Sequence, residues 1–345
     1  MKVVLVSSQA LPTPPPKYGG LERIVYWLSR ELIKMGHEVY LIAKPGSRIE
    51  GGVLLEGTGD EVSTFRKYES FVKQLIKDGE AVVHSHEWLY AFGLLRMRGV
   101  PCNYVLHTHH GAAYNWPSPP PFEKPNLMGI SRHHALLLEA EMGIPHKYVY
   151  HGVPLEEYEL YEGPREKWAL FLNRATPEKG AHIAVWIAKK TGVKLKMISG
   201  GSELYGAFAG YAAMVAQRAN NYGVEWLGEV DDVTKKSIMS RACCVISTAT
   251  FEEPFGLFAV EAMAVGTPVV ALARGALPEI IKHKKTGLLS RNLQEFAEHL
   301  NMVSRGVIDF NPRSIRQYVE SHFSAKKMAE NYLSIYKDVL NGNCF

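Results

Sequence analysis

Two carboxylates, Glu253 and Glu261, stand eight positions apart on either side of a Pro-Phe-Gly-Leu turn that is typical of a helix start. Hydrophobic segments at 243–247 and 268–272 enclose them and are predicted strands. Free backbone N–H groups at a helix start bind anions and hydroxyls, and neighbouring carboxylates can accept hydrogen bonds from sugar hydroxyls. The segment therefore predicts a site for a polyhydroxylated, phosphorylated ligand. The alternative is a core helix whose two acids face solvent.

Two cations, Arg174 and Lys179, lie five positions apart directly after a predicted strand at 168–173. Positive charges placed there can neutralise a diphosphate leaving group as its negative charge develops. The alternative is a surface ion pair with Glu178, which would contribute little to stability.

Histidines gather at two places in the first half of the chain: His84 and His86, and then His107, His109 and His110. In an extended strand the side chains of His107 and His109 share a face. Imidazoles are zinc ligands, but no carboxylates stand at a matching spacing. We therefore predict no metal site.

The bulk properties indicate an ordinary globular protein of about two domains. The chain has 345 residues, of which 46% are hydrophobic and 21% charged, and a net charge of +4. This mildly basic balance permits anionic ligands or peripheral membrane contact. The absence of a long Lys/Arg run argues against nucleic-acid binding.

The cysteines and the N-terminal sequence indicate a cytoplasmic protein. The chain has four cysteines, none in a Cys-x-x-Cys pair, and Cys243 and Cys244 fall in an apparently buried strand. We therefore expect reduced thiols. The first residues indicate a strand rather than a signal peptide, and no apolar run reaches the length of a membrane span.

Short apolar segments alternate with amphipathic ones along the whole chain, which predicts parallel sheets with helices on both faces. A helical pattern covers 21–35 and ends at Gly36. The predicted strands of a first sheet are 3–7, 39–43, 81–84, 103–107, 127–130 and 148–150. After a charged linker at 155–167, the strands of a second sheet are 168–173, 195–199, 224–227, 244–247 and 269–272. Ligands bind such sheets beyond the carboxyl ends of the strands.

Two proline-rich segments, 12–16 and 117–121, follow predicted strands. They are either stiff, extended loops that shape a binding site or merely rigid connections.

The segment Glu253-Pro-Phe-Gly-Leu-Phe-Ala-Val-Glu261 and the Ala-Met-Ala-Val-Gly-Thr-Pro-Val-Val after it resemble the signature of the retaining nucleotide-sugar glycosyltransferases of family 4, or glycosyl transferases group 1. Segment 171–180 is similar to the family's Gly-Arg-x-x-Pro-Glu-Lys-Gly, with Asn173 in place of glycine. The resemblance implies an α/β protein of the GT-B fold, in which two Rossmann-like doubly wound domains face each other across a cleft. We expect an acceptor-side domain at 1–160, a donor-binding domain at 161–323, and a C-terminal helix at 324–345 that crosses back.

The resemblance also implies how a nucleotide-sugar donor is held. Glu261 would hold the ribose hydroxyls, Glu253 the sugar hydroxyls, and Arg174 with Lys179 the departing diphosphate. Glycine turns and backbone groups would complete the site. The implied donor-binding residues are Gly19, Gly20, Arg174, Lys179, Gly200, Val230, Glu253, Phe255, Gly256, Leu257 and Glu261.

Stretch 100–108 resembles the family segment that ends in an active-site histidine. His107 matches by its distance from Pro101, although His109 and His110 remain alternatives. The sequence His84-Ser-His-Glu-Trp88 is similar to the family's His-Asp-Trp region, with Glu87 in place of aspartate, and would face the acceptor. The expected acceptor residues are His86 and Glu87 of this segment, together with His109. Segment 150–154 resembles Asn-Gly-Val-Asp with His151 and Pro154 substituted.

The expected activity is a retaining sugar transfer without metal or cofactor, with His107, Arg174, Lys179 and Glu253 as the catalytic residues. UDP-glucose is the preferred donor, because the Tyr-Gly-Gly-Leu-Glu-Arg segment at 18–23 resembles that of small-molecule glucosyltransferases such as the pteridine type. The acceptor is a small molecule, a lipid-linked sugar or a glycan. The alternatives are a GT-B nucleotide-sugar epimerase and a non-catalytic nucleotide-sugar binding protein.

Overall fold

The structure is a computed structural model that describes residues 1–79, 81–88, 91–111, 123–200, 206 and 208–345. The proline-rich segment 117–121 and Gly201 lie outside these residues. The described residues fall into two compact units, Met1–Gly152 with Ala325–Phe345, and Val153–Ser324.

In the part of the chain described, seven parallel strands form the sheet of the first unit, in the order β3-β2-β1-β4-β5-β6-β7. The strands are β1 (Lys2–Val6), β2 (Glu38–Ala43), β3 (Val53–Glu56), β4 (Ala81–Ser85), β5 (Val105–Thr108), β6 (Leu127–Gly129) and β7 (Lys147–Tyr148). Strand β1, in the interior of the sheet, is almost wholly buried. Such continuous apolar burial is typical of a sheet covered on both faces.

The helices of the first unit are α1 (Gly20–Lys34), α2 (Glu61–Lys77), α3 (Leu94–Met97), α4 (Arg132–Met142) and, at the far end of the chain, α12 (Ala325–Leu340). Met35 caps the C-terminus of helix α1, and the chain leaves the helix through Gly36, whose φ of 83° favours glycine. Helix α12 packs against α1, so the last helix belongs to the first unit.

The second unit contains, among its described residues, six parallel strands in the order β10-β9-β8-β11-β12-β13. They are β8 (Trp168–Leu172), β9 (Lys194–Ile198), β10 (Glu225–Gly228), β11 (Cys244–Ser247), β12 (Val269–Leu272) and β13 (Gly287–Ser290). The helices are α5 (Ala181–Thr191), α6 (Ala209–Asn221), α7 (Asp232–Arg241), α8 (Leu257–Ala264), α9 (Leu277–Ile280), α10 (Leu293–Ser304) and α11 (Pro312–His322). Both units confirm the predicted doubly wound α/β class.

The division between the units falls at Gly152 rather than near residue 160. The backbone of Val153 donates to the carbonyl of Phe323 at 2.9 Å, and the hydroxyl of Tyr158 donates to Glu261 at 2.7 Å. Segment 153–160 therefore belongs to the second unit, because its hydrogen bonds are made there.

A disulfide between Cys102 and Cys344, with Cα atoms 6.1 Å apart, corrects the expectation that all thiols are reduced. The last residues of the chain reach Cys102 because Asn126 holds them. Its side-chain oxygen accepts from the backbone N–H of Phe345 at 2.9 Å, and its amide donates to the carbonyl of Cys102 at 2.7 Å. Cys243 and Cys244 are buried free thiols, as the sequence predicted.

None of the helices in the described ranges has the length and apolar character needed to cross a membrane.

Candidate functional site

The loops that follow β8 and β11 lie side by side, because these two strands are neighbours in the sheet of the second unit. The loop after β8 carries Arg174 and Lys179, and the loop after β11 carries Glu253. The carboxyl ends of parallel strands meet at one edge of the sheet, where ligands of such folds bind. The two loops therefore bring the predicted cations and carboxylate to the same edge.

Lys179 and Glu253 form an ion pair, with 2.7 Å between Nζ and Oε2. Their side chains are only 11% and 8% exposed. The Lys179 ammonium also lies 4.5 Å from the centre of the Phe251 ring. Two residues predicted for one ligand site, 74 positions apart in the chain, are thus in direct contact.

Arg174 lies on the same loop, and its contact with Glu178 is long. Its guanidinium is 4.0 Å from the carboxylate of Glu178, at the limit of an ion pair, and its side chain is 20% exposed. The alternative of a surface ion pair with Glu178 therefore describes at most a loose contact of Arg174. It does not describe Lys179, which pairs with Glu253 instead.

Two glycines in left-handed conformations let the backbone close around the Glu253 loop. A Cβ atom at Gly180, where φ is +71°, would lie 2.1 Å from the carbonyl oxygen of Thr248. A Cβ atom at Gly275, where φ is +57°, would lie 2.3 Å from the backbone nitrogen and oxygen of Glu253. Neither space can hold a side chain, so glycine is required at both positions. The sequence analysis did not identify Gly275. A glycine shortly after the predicted strand at 269–272 was the one signal that could have indicated a close approach of the backbone there.

Glu261 lies in α8, and one of its oxygens, Oε1, accepts two hydrogen bonds. The hydroxyl of Tyr158 donates at 2.7 Å and the ammonium of Lys235 at 2.8 Å. Lys235 also pairs with Asp232 at 3.1 Å. The predicted ribose-binding carboxylate is therefore held by two donors that were not predicted from the sequence, since neither lies near it in the chain or belongs to a recognised motif.

The other residues predicted for the donor lie at the same sheet edge. The start of α8 is formed by Phe255, Gly256 and Leu257, and the first N–H groups of a helix have no partner within it. Gly200 follows β9 and Val230 follows β10, two strands next along from β8 in the sheet. The second unit thus assembles its predicted donor residues beyond neighbouring strand ends.

In the first unit, Gly19 and Gly20 lead into α1, as predicted. The first turn of α1 also carries Glu22, a buried acid that was not singled out from the sequence. Its Oε1 accepts a hydrogen bond from the Ser8 hydroxyl at 2.5 Å, and burial raises the pKa of Glu22 above its ordinary value. A buried polar pair therefore supports the glycine turn.

Five histidines form what we call the histidine cluster, at the ends of β4 and β5: His84, His86, His107, His109 and His110. The first four are buried, and His110 is partly buried. His86 Nδ1 lies 2.8 Å from His110 Nε2, and His107 Nδ1 lies 3.0 Å from the Ser85 hydroxyl. Burial lowers the pKa of each imidazole in the cluster well below 6.5, and neighbouring imidazoles add to this effect. The cluster is therefore neutral at pH 7.

Two of the three residues predicted to face an acceptor, His86 and His109, belong to the histidine cluster. The third, Glu87, is buried, and its Oε1 accepts a hydrogen bond from the backbone N–H of Phe92. Burial raises the pKa of Glu87 well above its ordinary value. Over the ranges that the structure describes, no group of three or more His, Cys, Asp or Glu side chains is arranged to hold a metal ion.

Two family models match the chain, one in each unit. The model of the glycosyl transferases group 1 matches residues 159–306, and the model of glycosyltransferase family 4 matches residues 18–133. An alpha-1,3/1,6-mannosyltransferase of Dictyostelium discoideum is 30% identical over 200 residues, which cover 50% of this chain and 46% of that protein. The chain spans about half the length of these curated relatives.

Solved structures resemble the chain over nearly its whole length. A glycosyltransferase from Rickettsia africae has a TM-score of 0.78 at 18% identity, covering 98% of each chain. HepE of Anabaena, solved in complex with UDP-glucose, has a TM-score of 0.70 at 17% identity and covers 98% of this chain and 100% of its own. These likenesses confirm the predicted GT-B fold.

Proposed function

Because the chain belongs to the GT-B glycosyltransferases of the group 1 and family 4 type, we propose that it transfers a sugar from a nucleotide diphosphate sugar to a hydroxyl acceptor. The observation that carries this proposal is the contact of Lys179 with Glu253 beside the start of α8. A cation, a carboxylate and the backbone N–H groups of a helix start at one sheet edge suit a ligand with both phosphates and sugar hydroxyls.

In the proposed donor site, Glu261 accepts hydrogen bonds from the ribose hydroxyls. The backbone N–H groups of Phe255, Gly256 and Leu257 hold phosphate and sugar, and Val230 borders the base with Gly200 nearby. Glu253 accepts from sugar hydroxyls, while its ion pair fixes its direction. This division of roles follows the ordinary preference of carboxylates for hydroxyl donors and of helix starts for anions.

We propose a transfer with retention of configuration. The bond from the anomeric carbon to the diphosphate breaks and its electrons stay on the leaving oxygen. The acceptor oxygen then bonds to the same face, and its proton passes to the leaving phosphate. Arg174 and Lys179 stabilise the leaving charge, which exists fully only late in the step. Each such contact contributes on the order of 2–4 kcal/mol to the transition state.

His107 completes the proposed catalytic set by orienting the donor sugar. As a buried neutral imidazole it can donate one hydrogen bond and accept another, so it can bind a hydroxyl without adding charge. Gly19 and Gly20 offer backbone to the donor from the start of α1. On the acceptor side we propose His86, Glu87 and His109.

The preferred donor in this proposal is UDP-glucose, supported by the Tyr-Gly-Gly-Leu-Glu-Arg segment at 18–23 and by the likeness to HepE, which was solved with UDP-glucose. No metal or cofactor takes part, since the cations of the chain neutralise the diphosphate. The acceptor is a small molecule, a lipid-linked sugar or a glycan, and the site of action is the cytoplasm.

A turnover assay tests this proposal. The protein is incubated with UDP-glucose and a set of hydroxyl acceptors in the presence of a chelator, and products are followed by NMR. Formation of UDP together with a glycoside that keeps the donor's anomeric configuration supports the proposal. An altered sugar nucleotide formed without acceptor would identify an epimerase, and binding without release of UDP would identify a binding protein.

A further inference from the structure

We propose that Tyr158 and Lys235 are positioning residues that aim the Glu261 carboxylate at the ribose of the nucleotide. This inference rests on the proposed function and adds to it the two side chains that set ribose recognition. Both act through Glu261 rather than through the substrate itself.

The geometry at Glu261 is the first argument. The Tyr158 hydroxyl and the Lys235 ammonium both donate to Oε1, at 2.7 and 2.8 Å. The terminal torsion of a glutamate side chain is broad, so an unrestrained carboxylate samples many orientations. Two donors converging on one oxygen restrict that rotation. A hydroxyl ligand then meets an acceptor whose direction is already set, which reduces the entropy lost on binding.

The fold places the Tyr158 hydroxyl independently of any ligand. Tyr158 is fully buried. The guanidinium of Arg316, on α11, donates to the carbonyls of Leu155, at 2.8 Å, and of Tyr158 itself. It also donates to the carbonyl of Ala264 at 2.5 Å, at the end of the helix that carries Glu261. One arginine thus ties the Tyr158 segment and the Glu261 helix together.

Lys235 connects the same carboxylate to helix α7. It lies on α7, and it pairs with Asp232 at 3.1 Å as well as with Glu261. Helix α7 starts directly after the turn that contains Val230, and Asp231 caps it by accepting from the backbone N–H of Thr234 at 2.9 Å. The helix that follows the turn proposed to border the base therefore carries the lysine that holds the carboxylate proposed to bind the ribose.

This arrangement predicts selection for a complete ribose. A site with a buried, fixed acceptor rejects a ligand that lacks the matching hydroxyl, because the acceptor is then left without its partner. Loss of the Tyr158 hydroxyl should loosen the carboxylate and weaken binding of a ribonucleotide roughly tenfold. It should leave binding of a nucleotide without ribose hydroxyls unchanged.

The test compares UDP with 2′,3′-dideoxy-UDP by calorimetric titration of the whole chain. The variants are Tyr158→Phe and Lys235→Met. The matched control is Tyr161→Phe, which removes a hydroxyl that bonds the Pro164 carbonyl at 3.1 Å on the same stretch of chain. If UDP does not bind the wild type, the same comparison is made between GDP and dideoxy-GDP and between ADP and dideoxy-ADP. Melting temperatures of all variants are measured in parallel.

We expect Tyr158→Phe and Lys235→Met each to weaken binding of the ribonucleotide and to leave binding of the dideoxy form unchanged. Tyr161→Phe should bind both nucleotides as the wild type does. An equal loss for both nucleotides, or no loss, would show a merely structural role and overturn this inference while leaving the proposed function intact. A wild type that binds both nucleotides equally would also overturn it. A wild type that binds no nucleoside diphosphate would overturn the proposed function and this inference together.

Discussion

Lys179 and Glu253 hold each other at 2.7 Å with both side chains nearly excluded from water. Two charges buried in this way depend on each other, since removing one leaves the other desolvated and unpaired. The contact also joins the loops after β8 and β11. The pair therefore has a structural role as well as its proposed role in binding the donor.

Replacing Lys179 with methionine should remove turnover and destabilise the fold by about 3 kcal/mol, because Glu253 stays buried without its partner. The double variant Lys179→Met with Glu253→Gln should recover most of this stability, and it should stay inactive. Urea denaturation measures the free energy of unfolding, and UDP release measures turnover. Normal turnover in the single variant would contradict the catalytic assignment.

Replacing Arg174 with alanine should reduce turnover tens to about a thousandfold while changing the free energy of unfolding little. Its side chain is partly exposed, and its contact with Glu178 is long at 4.0 Å. Glu178→Gln serves as the control and should leave turnover nearly unchanged. A large loss of stability in Arg174→Ala, with normal turnover, would show that Arg174 stabilises the fold and has no catalytic role.

Replacing Gly275 with alanine should destabilise the protein and displace the Glu253 loop, because the new Cβ would lie 2.3 Å from the Glu253 backbone. Gly306→Ala is the matched control. Gly306 has a φ of +68°, close to that of Gly275, and a Cβ added there would meet nothing within 4 Å. Gly306→Ala should lower the free energy of unfolding by about 1 kcal/mol, which is the strain of an alanine in the left-handed conformation. Thermal melts and nucleotide titrations distinguish the two, and equal effects would contradict the steric argument.

The histidine cluster predicts a loss of stability on mild acidification. In the unfolded protein these imidazoles take up protons below about pH 6.5, whereas in the folded protein burial keeps them neutral. The unfolded state thus binds more protons, so the free energy of unfolding is at its full value above pH 6.5 and falls as the pH is lowered. Each imidazole that stays neutral contributes about 1.4 kcal/mol per pH unit. Glu87 acts oppositely, because its raised pKa favours the folded state in acid.

Thermal melts between pH 7.5 and 5 test this prediction. His151 is buried and its pKa is lowered to about 3, so His151→Asn should make the melting temperature less sensitive to pH. His322→Gln changes an exposed side chain and should not alter that dependence. A wild-type melting temperature that does not fall across this range, and that His151→Asn leaves equally insensitive to pH, would contradict the prediction.

Opening the disulfide should destabilise the first unit by about 2–4 kcal/mol, because Cys102 and Cys344 close a loop across most of the chain. Thermal melts with and without dithiothreitol measure this loss. With or without dithiothreitol, Cys344→Ser should melt at the temperature of the wild type whose disulfide has been reduced. Identical melts of the oxidised and reduced wild type would contradict the prediction.

The regular elements were predictable where apolar runs are long and buried. Strands β1, β8 and β11 match their predictions closely for this reason. Strand β3 was missed because its residues are half exposed, and β13 because it begins with glycine. The segment predicted as a strand at 103–107 starts later, at Val105, since Cys102–Tyr104 form a tight helical turn.

The candidate site was predictable only where its residues belong to one local motif. Glu253 and Glu261 stand out by their flanking sequence, as do Arg174 and Lys179. Tyr158 and Lys235 carry no local signal, because their contacts with Glu261 arise from folding of distant segments. The same holds for Asn126, which brings the chain end to Cys102.

The most direct test of the proposed donor site is a calorimetric titration with UDP-, GDP- and ADP-sugars in the presence of a chelator, for the wild type and for Glu261→Ala. We predict that the wild type binds one class of sugar nucleotide, UDP-glucose foremost, and that the variant loses this binding while melting as a folded protein. A wild type that binds none of these sugar nucleotides would contradict the proposal, because it would leave the GT-B fold without the donor site assigned to it.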